Sequence, residues 1–458
     1  MHAERSPGVP EGSARQITIG ISTLVLLCFF LSGLTGLIYE ILWTRMIVKV
    51  IGSAPFAVSI ILTVFMGGLG LGSFLASRSI DRIQAPNQLL RIYALLELVI
   101  GFYGVILPGL IIIAKPLYSF LYNELFHYFL MYSVFTLVGC IILLIIPVIC
   151  MGATLPVLCR FYVEQLGHLG TRAGLLYALN TIGAALGARL CGFWLITLLG
   201  VWGTLFFAVF LNGMIGVVCL LVSYSMGARS VRQSELPDSA GDQVHMQNSS
   251  PDTPPADGTG YAFGALFIFA VSGFCAMAYE VIWTRLLGLI IGPTTYSFTL
   301  VLATFIIGLG LGSLIFGWLA DRTKKPVWLL LYTQIIAALL VLGISQLLGN
   351  SQFFFAKLIY SFKGEFGQLA TAKAIILFVI MLGPTLCLGA TFPLVGKIYT
   401  RSVTRIGQSI GSAYAINTLG AVLGSFSAGF LLIPWFGKEQ SLSLVIAFQL
   451  LTVLGVGG

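Results

Sequence analysis

Long apolar runs separated by short polar segments fill almost the whole chain. About 20 consecutive apolar residues are enough for an α-helix to cross the hydrocarbon core of a bilayer. The runs are unbroken, as at 141–146 and 375–382, and do not alternate as the strands of a membrane β-barrel do. The pattern predicts about twelve transmembrane helices, at 17–43, 55–77, 89–114, 129–158, 173–198, 203–224, 262–284, 295–318, 327–349, 371–395, 409–432 and 440–457.

Two polar segments lie outside these runs. Residues 1–16 are rich in Pro, Gly and charged side chains, and they predict a disordered tail. Residues 225–260 carry four prolines with many Ser, Asp and Gly residues, which predicts a linker. The chain therefore divides into a tail at 1–16, a first membrane repeat at 17–224, a linker at 225–260 and a second membrane repeat at 261–458.

The two membrane regions repeat each other in sequence and in order. An even number of spans in each repeat makes the repeats parallel, which is a known arrangement in transporters. The sequence thus predicts an all-α polytopic membrane protein of two parallel six-helix repeats. The matching motifs are Tyr39-Glu40-x-x-Trp43-Thr44-Arg45 with Tyr279-Glu280-x-x-Trp283-Thr284-Arg285, the Gly-Leu-Gly-Leu-Gly-Ser runs at 68–73 and 308–313, Asp81-Arg82 with Asp321-Arg322, and the Gly-Ala-Thr-x-Pro turns at 152–156 and 389–393.

Composition and charge support this class and exclude others. Of the 458 residues, 58% are hydrophobic and only 9% are charged, whereas soluble domains carry about 25% charged residues. The net charge of +8 is not clustered into a basic face, so no nucleic-acid partner is expected. Most Lys and Arg residues fall in segments that lie on the same side of the membrane as the N-terminus. Both termini and the linker are therefore predicted to be cytoplasmic, in the inner (cell) membrane of a bacterium.

The chemistry of a metal, cofactor or catalytic site has no support in the sequence. The eight cysteines show no CxxC spacing, and the four histidines lie outside the predicted spans. The glycine runs at 68–72 and 308–312 lie in apolar helices without a preceding strand, which excludes a dinucleotide site. Their spacing is instead typical of close helix packing. No catalytic residue, metal ion or cofactor is predicted.

A few polar side chains within the spans are the candidate substrate-binding residues, because a charge at the bilayer centre costs at least about 2.5 kcal/mol. One hypothesis pairs Glu40 with Arg285 and Glu280 with Arg45 across the symmetry axis. The aromatic residues of the same motifs would then wall a site for an amine through cation–π contacts. The alternative has both arginines reaching the headgroups. The full candidate set is Tyr39, Glu40, Trp43, Arg45, Tyr279, Glu280, Trp283, Arg285, Glu97, Asn180, Arg189 and Asn417.

Two further features each leave two interpretations open. Asn180 and Asn417 either form interhelical hydrogen bonds or line a solute path. Two prolines and a glycine in the fourth helix of each half either kink the helix or open a ligand-facing turn.

Two resemblances to known families rest on these motifs. The segment Gly317-Trp-Leu-Ala-Asp321-Arg322-Thr-Lys324-Lys325 resembles the cytoplasmic loop motif of the major facilitator superfamily, in which an acid and a base at a helix end can latch neighbouring helices. The repeated Tyr-Glu, glycine-run and Gly-Ala-Thr-x-Pro motifs resemble the membrane portion of bacterial multi-span spermidine synthase-like proteins. That resemblance implies a soluble aminopropyltransferase domain after the spans. The 458 residues contain no soluble βαβ stretch of that kind, so no catalytic residue is carried over.

Three functions are consistent with this sequence. The first is a transporter-like module for a polyamine or related small cationic metabolite. The second is a membrane anchor or scaffold for a soluble aminopropyltransferase domain. The third, an enzyme acting on lipids, needs a nucleophile or metal cluster near the interface, and the sequence supplies none. The expected partners are the lipid bilayer, a small cationic metabolite and that soluble domain.

Overall fold

The computed structural model describes residues 11–51, 55–125, 127–163, 165–234, 258–291, 295–349, 357, 360–362 and 366–457, and these form an α-helical membrane protein. The helices of the first half are α1 (Glu11–Ile51), α2 (Pro55–Ser79), α3 (Pro86–Leu125), α4 (Phe129–Tyr162), α5 (Leu169–Leu190) and α6 (Ile196–Ser234). Those of the second half are α7 (Gly258–Ile291), α8 (Thr295–Arg322), α9 (Pro326–Gly349), α10 (Phe366–Gly389), α11 (Thr391–Tyr399), α12 (Ile406–Ser427) and α13 (Ile433–Gly457).

Ten helical segments in the described chain are long and apolar enough to cross a membrane. Two of them, Leu166–Ala228 with 63 residues and Val403–Val456 with 54 residues, are far longer than one crossing requires. Each is broken by a glycine in the left-handed region, Gly200 at φ 69° and Gly437 at φ 74°. The polytopic all-helical fold is confirmed, and the exact count of twelve crossings stays a prediction.

These glycines occupy matching places in the two sequence repeats. A short π-helical turn precedes each one, Cys191–Leu195 before Gly200 and Ala428–Leu432 before Gly437. The two glycines are separated along the chain by the same number of residues as the two Gly-Ala-Thr-x-Pro turns, and so are the two π-helical turns. The local geometry of the chain thus follows the sequence repeat.

The ends of the predicted segments differ from the observed helices. Helix α1 begins at Glu11, within the segment expected to be a disordered tail, and residues 1–10 lie outside the described part. Helix α6 continues to Ser234 and α7 begins at Gly258, so only 235–257 of the predicted linker lie outside the described residues. The spans are predicted from runs of apolar residues, and these helical extensions are polar, so the runs do not include them. We call the end of the bundle where α6 ends and α7 begins the linker face.

Glycines allow the helices to pack backbone against backbone. A Cβ atom built on Gly72 of α2 would overlap the carbonyl oxygen of Ile149 in α4, and one on Gly312 of α8 would overlap that of Leu386 in α10. The two halves meet where α2 packs on α12 and α5 packs on α8. The glycine runs therefore serve close helix packing, as the sequence predicts.

The outer surface of the bundle is apolar. Large hydrophobic side chains such as Ile113, Leu198 and Phe263 are more than 70% exposed. A soluble protein rarely exposes so continuous an apolar surface, because its contact with water is unfavourable. The lipid bilayer is the environment that covers it.

Candidate functional site

A central cavity of about 240 Å³ lies between the two halves. Its wall comes from α1, α2, α4 and α5 of the first half and from α7, α8, α10, α11 and α12 of the second. Both repeats contribute equivalent polar side chains to this wall. The pairs are Ser32 and Ser272, Glu40 and Glu280, Tyr177 and Tyr414, Asn180 and Asn417, Thr181 and Thr418, and Thr154 and Thr391.

Helical spacing explains why α1 and α7 present these side chains together. Ser32, Gly36 and Glu40 are four residues apart and therefore share one face of α1. Ser272, Ala276 and Glu280 form the same face of α7. Each repeat thus turns one hydroxyl and one carboxyl toward the cavity.

The cavity brings the two glutamates together and leaves the two arginines outside its wall. Glu40 is 8% exposed and Glu280 is 6% exposed. Arg45 is an exposed side chain beyond the cavity, and Arg285 is partly buried but also absent from the wall. Within the described ranges, no ion pair joins Glu40 to Arg285 or Glu280 to Arg45. The structure therefore does not show the cross-pairs that the sequence suggested.

The four aromatic side chains of the repeated motif do not wall the cavity, which corrects the sequence expectation. Tyr39 stacks on Trp43 with ring centroids 4.8 Å apart, and Tyr279 stacks on Trp283 at 5.8 Å. All four are buried in the cores of their own halves. Trp43 packs against Phe65 at 6.0 Å and Trp283 against Phe305 at 6.2 Å, and these two phenylalanines line the cavity in their place.

Other aromatic residues line the cavity toward the linker face. The Phe392 ring stacks on Tyr177 at 4.6 Å between centroids and meets the edge of Tyr414 at 6.2 Å. Phe269 of α7 lies 6.4 Å from Phe392. This cluster is not among the residues that the sequence predicted. The signal was the single difference between the two Gly-Ala-Thr-x-Pro turns, where the first repeat has Leu155.

At the linker face, one aspartate from each half binds the start of a helix from the other half. Asp321 accepts hydrogen bonds from the backbone N–H groups of Gly170 (3.0 Å) and Thr171 (2.7 Å) at α5, and its Oδ1 lies 3.1 Å from Lys397 Nζ. A carboxylate satisfies the free N–H groups and favours the positive end of the helix dipole. Asp321 thus joins neighbouring helices as the motif suggested, but the base is Lys397, whereas Arg322 lies over the Trp318 ring.

Asp81 makes the equivalent contacts to the second half. It accepts hydrogen bonds from the backbone of Gly407 (3.0 Å) and Gln408 (2.7 Å) at α12. Arg160 Nε lies 3.6 Å from its Oδ1. The two contacts join the halves symmetrically and lie on the linker-face side of the cavity.

Glu97 of α3 lies behind the cavity wall. Its side chain is fully buried and accepts hydrogen bonds from Ser32 Oγ (2.5 Å) and Asn212 Nδ2 (2.6 Å). Ser32 itself lines the cavity. Glu97 is therefore one hydrogen bond away from the cavity.

The remaining candidate residues separate into two groups. Asn180 donates to the Phe29 carbonyl oxygen at 3.2 Å, which is an interhelical hydrogen bond, and it also lines the cavity, whereas its contact with a solute stays a prediction. Asn417 lines the cavity in the equivalent place. Arg189 is exposed outside the wall, with its guanidinium 5.8 Å from the Trp194 ring.

The proline-containing helices are alike in the two halves. Helix α4 continues through Pro147 and Pro156, and the backbone hydrogen bonds of Ala390 N–H to Leu386 O (3.2 Å) and of Leu394 N–H to Ala390 O (3.3 Å) connect α10 to α11. Both Gly152 and Gly389 line the cavity. In the described part of the chain, no cluster of three or more His, Cys, Asp or Glu residues is placed to hold a metal ion.

Comparison with known proteins places part of the sequence near polyamine aminopropyltransferases. No protein-family model matches the chain. Polyamine aminopropyltransferase 1 of Streptomyces coelicolor is 26% identical over 203 residues, which cover 43% of this chain and 34% of that protein. Polyamine aminopropyltransferase 2 of the same organism is 25% identical over 186 residues, covering 40% of this chain and 31% of that protein. The match thus spans about a third of these curated relatives.

Solved structures identify the fold over nearly the whole chain. The major facilitator superfamily transporter FucP in its outward conformation matches with a TM-score of 0.53 and 15% identity, over 95% of this chain and 98% of that one. A bacterial homologue of the iron transporter ferroportin in an outward-facing state matches with a TM-score of 0.55 and 13% identity, over 95% and 97%. The human organic anion transporter MFSD10 matches with a TM-score of 0.54 and 11% identity, over 95% and 98%. The chain is a polytopic membrane protein with the major facilitator superfamily fold.

Proposed function

We propose that this chain transports a small cationic solute, of the polyamine class, through the central cavity. The observation that carries the proposal is the pair of buried carboxyl groups, Glu40 and Glu280, in the wall of one cavity. No Lys, Arg or His belongs to the described lining of that cavity. The wall therefore carries acidic groups and neutral polar groups.

Physical chemistry favours a cation in such a place. A carboxylate out of water is stabilised by a bound positive charge, because an isolated buried charge is costly. A linear solute with two amino groups can approach both carboxylates. The hydroxyl and amide oxygens of Ser32, Ser272, Asn180 and Asn417 supply further acceptors for ammonium N–H groups.

The curated relatives give independent support for the solute class. Both are polyamine aminopropyltransferases by name, and this chain is similar to about a third of their length. A membrane region next to such chemistry would meet polyamines as substrates or products. The cavity volume also suits a small metabolite.

Transport in liposomes tests the proposal. Purified protein is reconstituted, and uptake of labelled spermidine and putrescine is compared with that of a neutral sugar. We expect saturable uptake of the polyamines, strong reduction in Glu40→Gln and Glu280→Gln, and no change in Glu439→Gln, whose side chain is exposed. Absence of both uptake and binding by the wild-type protein would remove the polyamine proposal.

The second candidate function is a membrane anchor for a soluble aminopropyltransferase domain. The limited coverage of the curated relatives favours it, because about two thirds of their length lies outside the match. An anchor needs no solute site. It therefore predicts that neither the wild-type protein nor the Glu40→Gln/Glu280→Gln variant binds polyamines. In a protein that contains both the membrane region and the soluble domain, the rate of polyamine synthesis should be the same with and without these two substitutions.

We further propose that both ends of the chain and the linker face the cytoplasm, in the cell membrane. The excess of Lys and Arg on that side supports this orientation. A cysteine introduced by Ser239→Cys should react only with a membrane-permeant reagent in intact cells. Reaction with an impermeant reagent would reverse the orientation.

A further inference from the structure

The buried polar cluster around Glu97 differs from the rest of the cavity wall, because it connects the cavity to a carboxyl group that a solute cannot reach. Ser32 Oγ donates to Glu97 Oε1, and Asn212 Nδ2 donates to Glu97 Oε2. Asn212 Oδ1 is buried without a hydrogen-bond partner. Among the described residues, no Lys, Arg or His nitrogen lies within 4.0 Å of Glu97.

The second half keeps the hydroxyl but lacks the carboxyl. Ser272 lines the cavity at the position equivalent to Ser32. The third helix of that half offers an amide in place of the acid, because Gln449 donates to Gln334 at 3.0 Å as Asn212 donates to Glu97. Glu97 is therefore a feature of one half only, so the symmetry of the scaffold does not explain it.

We propose that Glu97 is a proton-binding site that couples protonation to occupancy of the central cavity through Ser32. This inference rests on the proposed binding of a cationic solute. When Glu97 is ionised, the Ser32 hydroxyl donates to the carboxylate and offers only its oxygen lone pairs to the cavity. An ammonium group is a donor without acceptors, so this state suits it.

Protonation reverses the hydrogen bond. A proton on Oε1 makes Glu97 the donor and Ser32 Oγ the acceptor, which frees the Ser32 O–H to point into the cavity. The proton of the Ser32 O–H then faces the N–H groups of an ammonium in the cavity and repels them. A proton on Oε2 can be accepted by Asn212 Oδ1 after the amide rotates, so the cluster accommodates either oxygen.

The charge balance follows from this exchange. A cation that enters the cavity favours ionised Glu97, and the proton that leaves Oε1 or Oε2 passes to water. By linkage, protonation of Glu97 must weaken cation binding by the same factor. Binding of one cation therefore releases one proton from this site.

The other titratable groups near Glu97 are acids. They lie on α1, α3, α4 and α6, the helices packed around this carboxyl group. Each is neutral when protonated, so none supplies a positive charge to Glu97. They are Cys28, Tyr39, Tyr93, Cys150 and Cys219.

Proton release on binding tests the inference. Spermidine is added to purified protein in weakly buffered solution from mildly acidic to mildly alkaline pH, and protons released per bound cation are counted. Glu40 and Glu280 contribute their own release. We expect Glu97→Gln to bind spermidine but to release about one proton fewer per bound cation than the wild-type protein. The change of its affinity with pH should therefore be smaller, by up to about tenfold per pH unit. Ser32→Ala should likewise uncouple binding from Glu97, whereas the matched Ser272→Ala variant keeps the wild-type proton count.

An infrared titration separates this inference from the proposed function. In ligand-free protein, the C=O band of a protonated carboxylic acid that disappears in Glu97→Gln belongs to Glu97. The intensity of this band should fall with rising pH over the range used for the proton count. Its frequency should shift in Ser32→Ala but not in Ser272→Ala. If spermidine fails to bind, a titrating Glu97 band sensitive to Ser32 still supports the proton site. An unchanged proton count in Glu97→Gln, or a Glu97 band that does not titrate, overturns it.

Discussion

The two halves of this protein share a scaffold and differ in their buried polar clusters. Both halves place a glutamate in the central cavity, an aspartate on a helix of the other half and a left-handed glycine after a π-helical turn. In the first half, the cluster behind the cavity contains an acid, Glu97. In the second half, Tyr279 donates to Gln449 at 2.8 Å and Gln449 donates to Gln334 at 3.0 Å, so the cluster is neutral.

This difference separates structural from functional roles. Asn212 and Gln449 occupy equivalent positions in α6 and α13, and each links its helix to the third helix of its half. The link is therefore a shared structural need. The carboxyl group and its bond to a cavity hydroxyl occur in the first half only, which assigns them a further role. The same logic applies to Phe392, whose counterpart is Leu155.

The largest expected effect comes from breaking the shared scaffold. Gly312→Ala places a Cβ against the Leu386 carbonyl, and Gly72→Ala places one against that of Ile149. Backbone atoms cannot move aside cheaply, so each variant should lose about 1–3 kcal/mol of stability or more. Thermal unfolding in detergent measures the loss. Gly343→Ala, which meets nothing within 4 Å, serves as the control and should not be destabilised. A large loss in only one half would contradict the structural equivalence of the repeats.

The aspartate contacts should differ modestly in strength. Asp321 is the more buried of the two, at 8% against 16% side-chain exposure, and its cation is nearer. Loss of the hydrogen bonds to helix N–H groups should cost about 1–3 kcal/mol in Asp321→Ala and less in Asp81→Ala. Thermal unfolding measures the loss of stability in each variant. The rate at which a cysteine introduced into the cavity wall is labelled from the linker face measures how far that side opens. Greater loss in Asp81→Ala would reverse the ranking of the two contacts.

The smallest expected effect makes the halves more alike at the aromatic cluster. Phe392→Leu introduces the residue found at position 155 and removes the ring stacked on Tyr177. Aromatic pairs contribute about 0.5–1.5 kcal/mol beyond their buried area, so stability should fall by roughly that amount. Leakage of a small solute from liposomes should rise, because the ring fills part of the cavity wall on the side of the linker face. The reciprocal variant Leu155→Phe is the control, and equal leakage in both would remove the special role of Phe392.

The sequence predicted the polytopic helices, because these depend on spacing along one chain. It also singled out Glu40 and Glu280, which line the cavity, while their role in binding stays a prediction. It did not predict which face of α1 and α7 points inward. The side chains at 39 and 43 carry the conspicuous rings, but the cavity face runs through 32, 36 and 40. The repeated Ser-Gly pair at 32–33 and 272–273 was the signal for that face.

Contacts between distant helices were beyond the reach of one sequence. The partners of Asp81 and Asp321 are backbone N–H groups, which carry no residue-specific signal. Glu97 was recognised as a costly intramembrane acid, but its bond to Ser32 depends on how α1 and α3 pack. Such pairings need the three-dimensional arrangement of the helices.

The central claim is that Glu40 and Glu280, one from each half, together bind a cationic solute. Equilibrium binding of labelled spermidine to purified wild-type protein, both single Gln variants, the double variant and Glu439→Gln tests it most directly. Hydrogen bonds to charged groups contribute about 1.5–3 kcal/mol, so each single variant should weaken binding by about 10- to 150-fold. The account predicts similar losses for Glu40→Gln and Glu280→Gln, no measurable binding in the double variant and wild-type affinity in Glu439→Gln. Equal affinity in the wild-type protein and the double variant would contradict it.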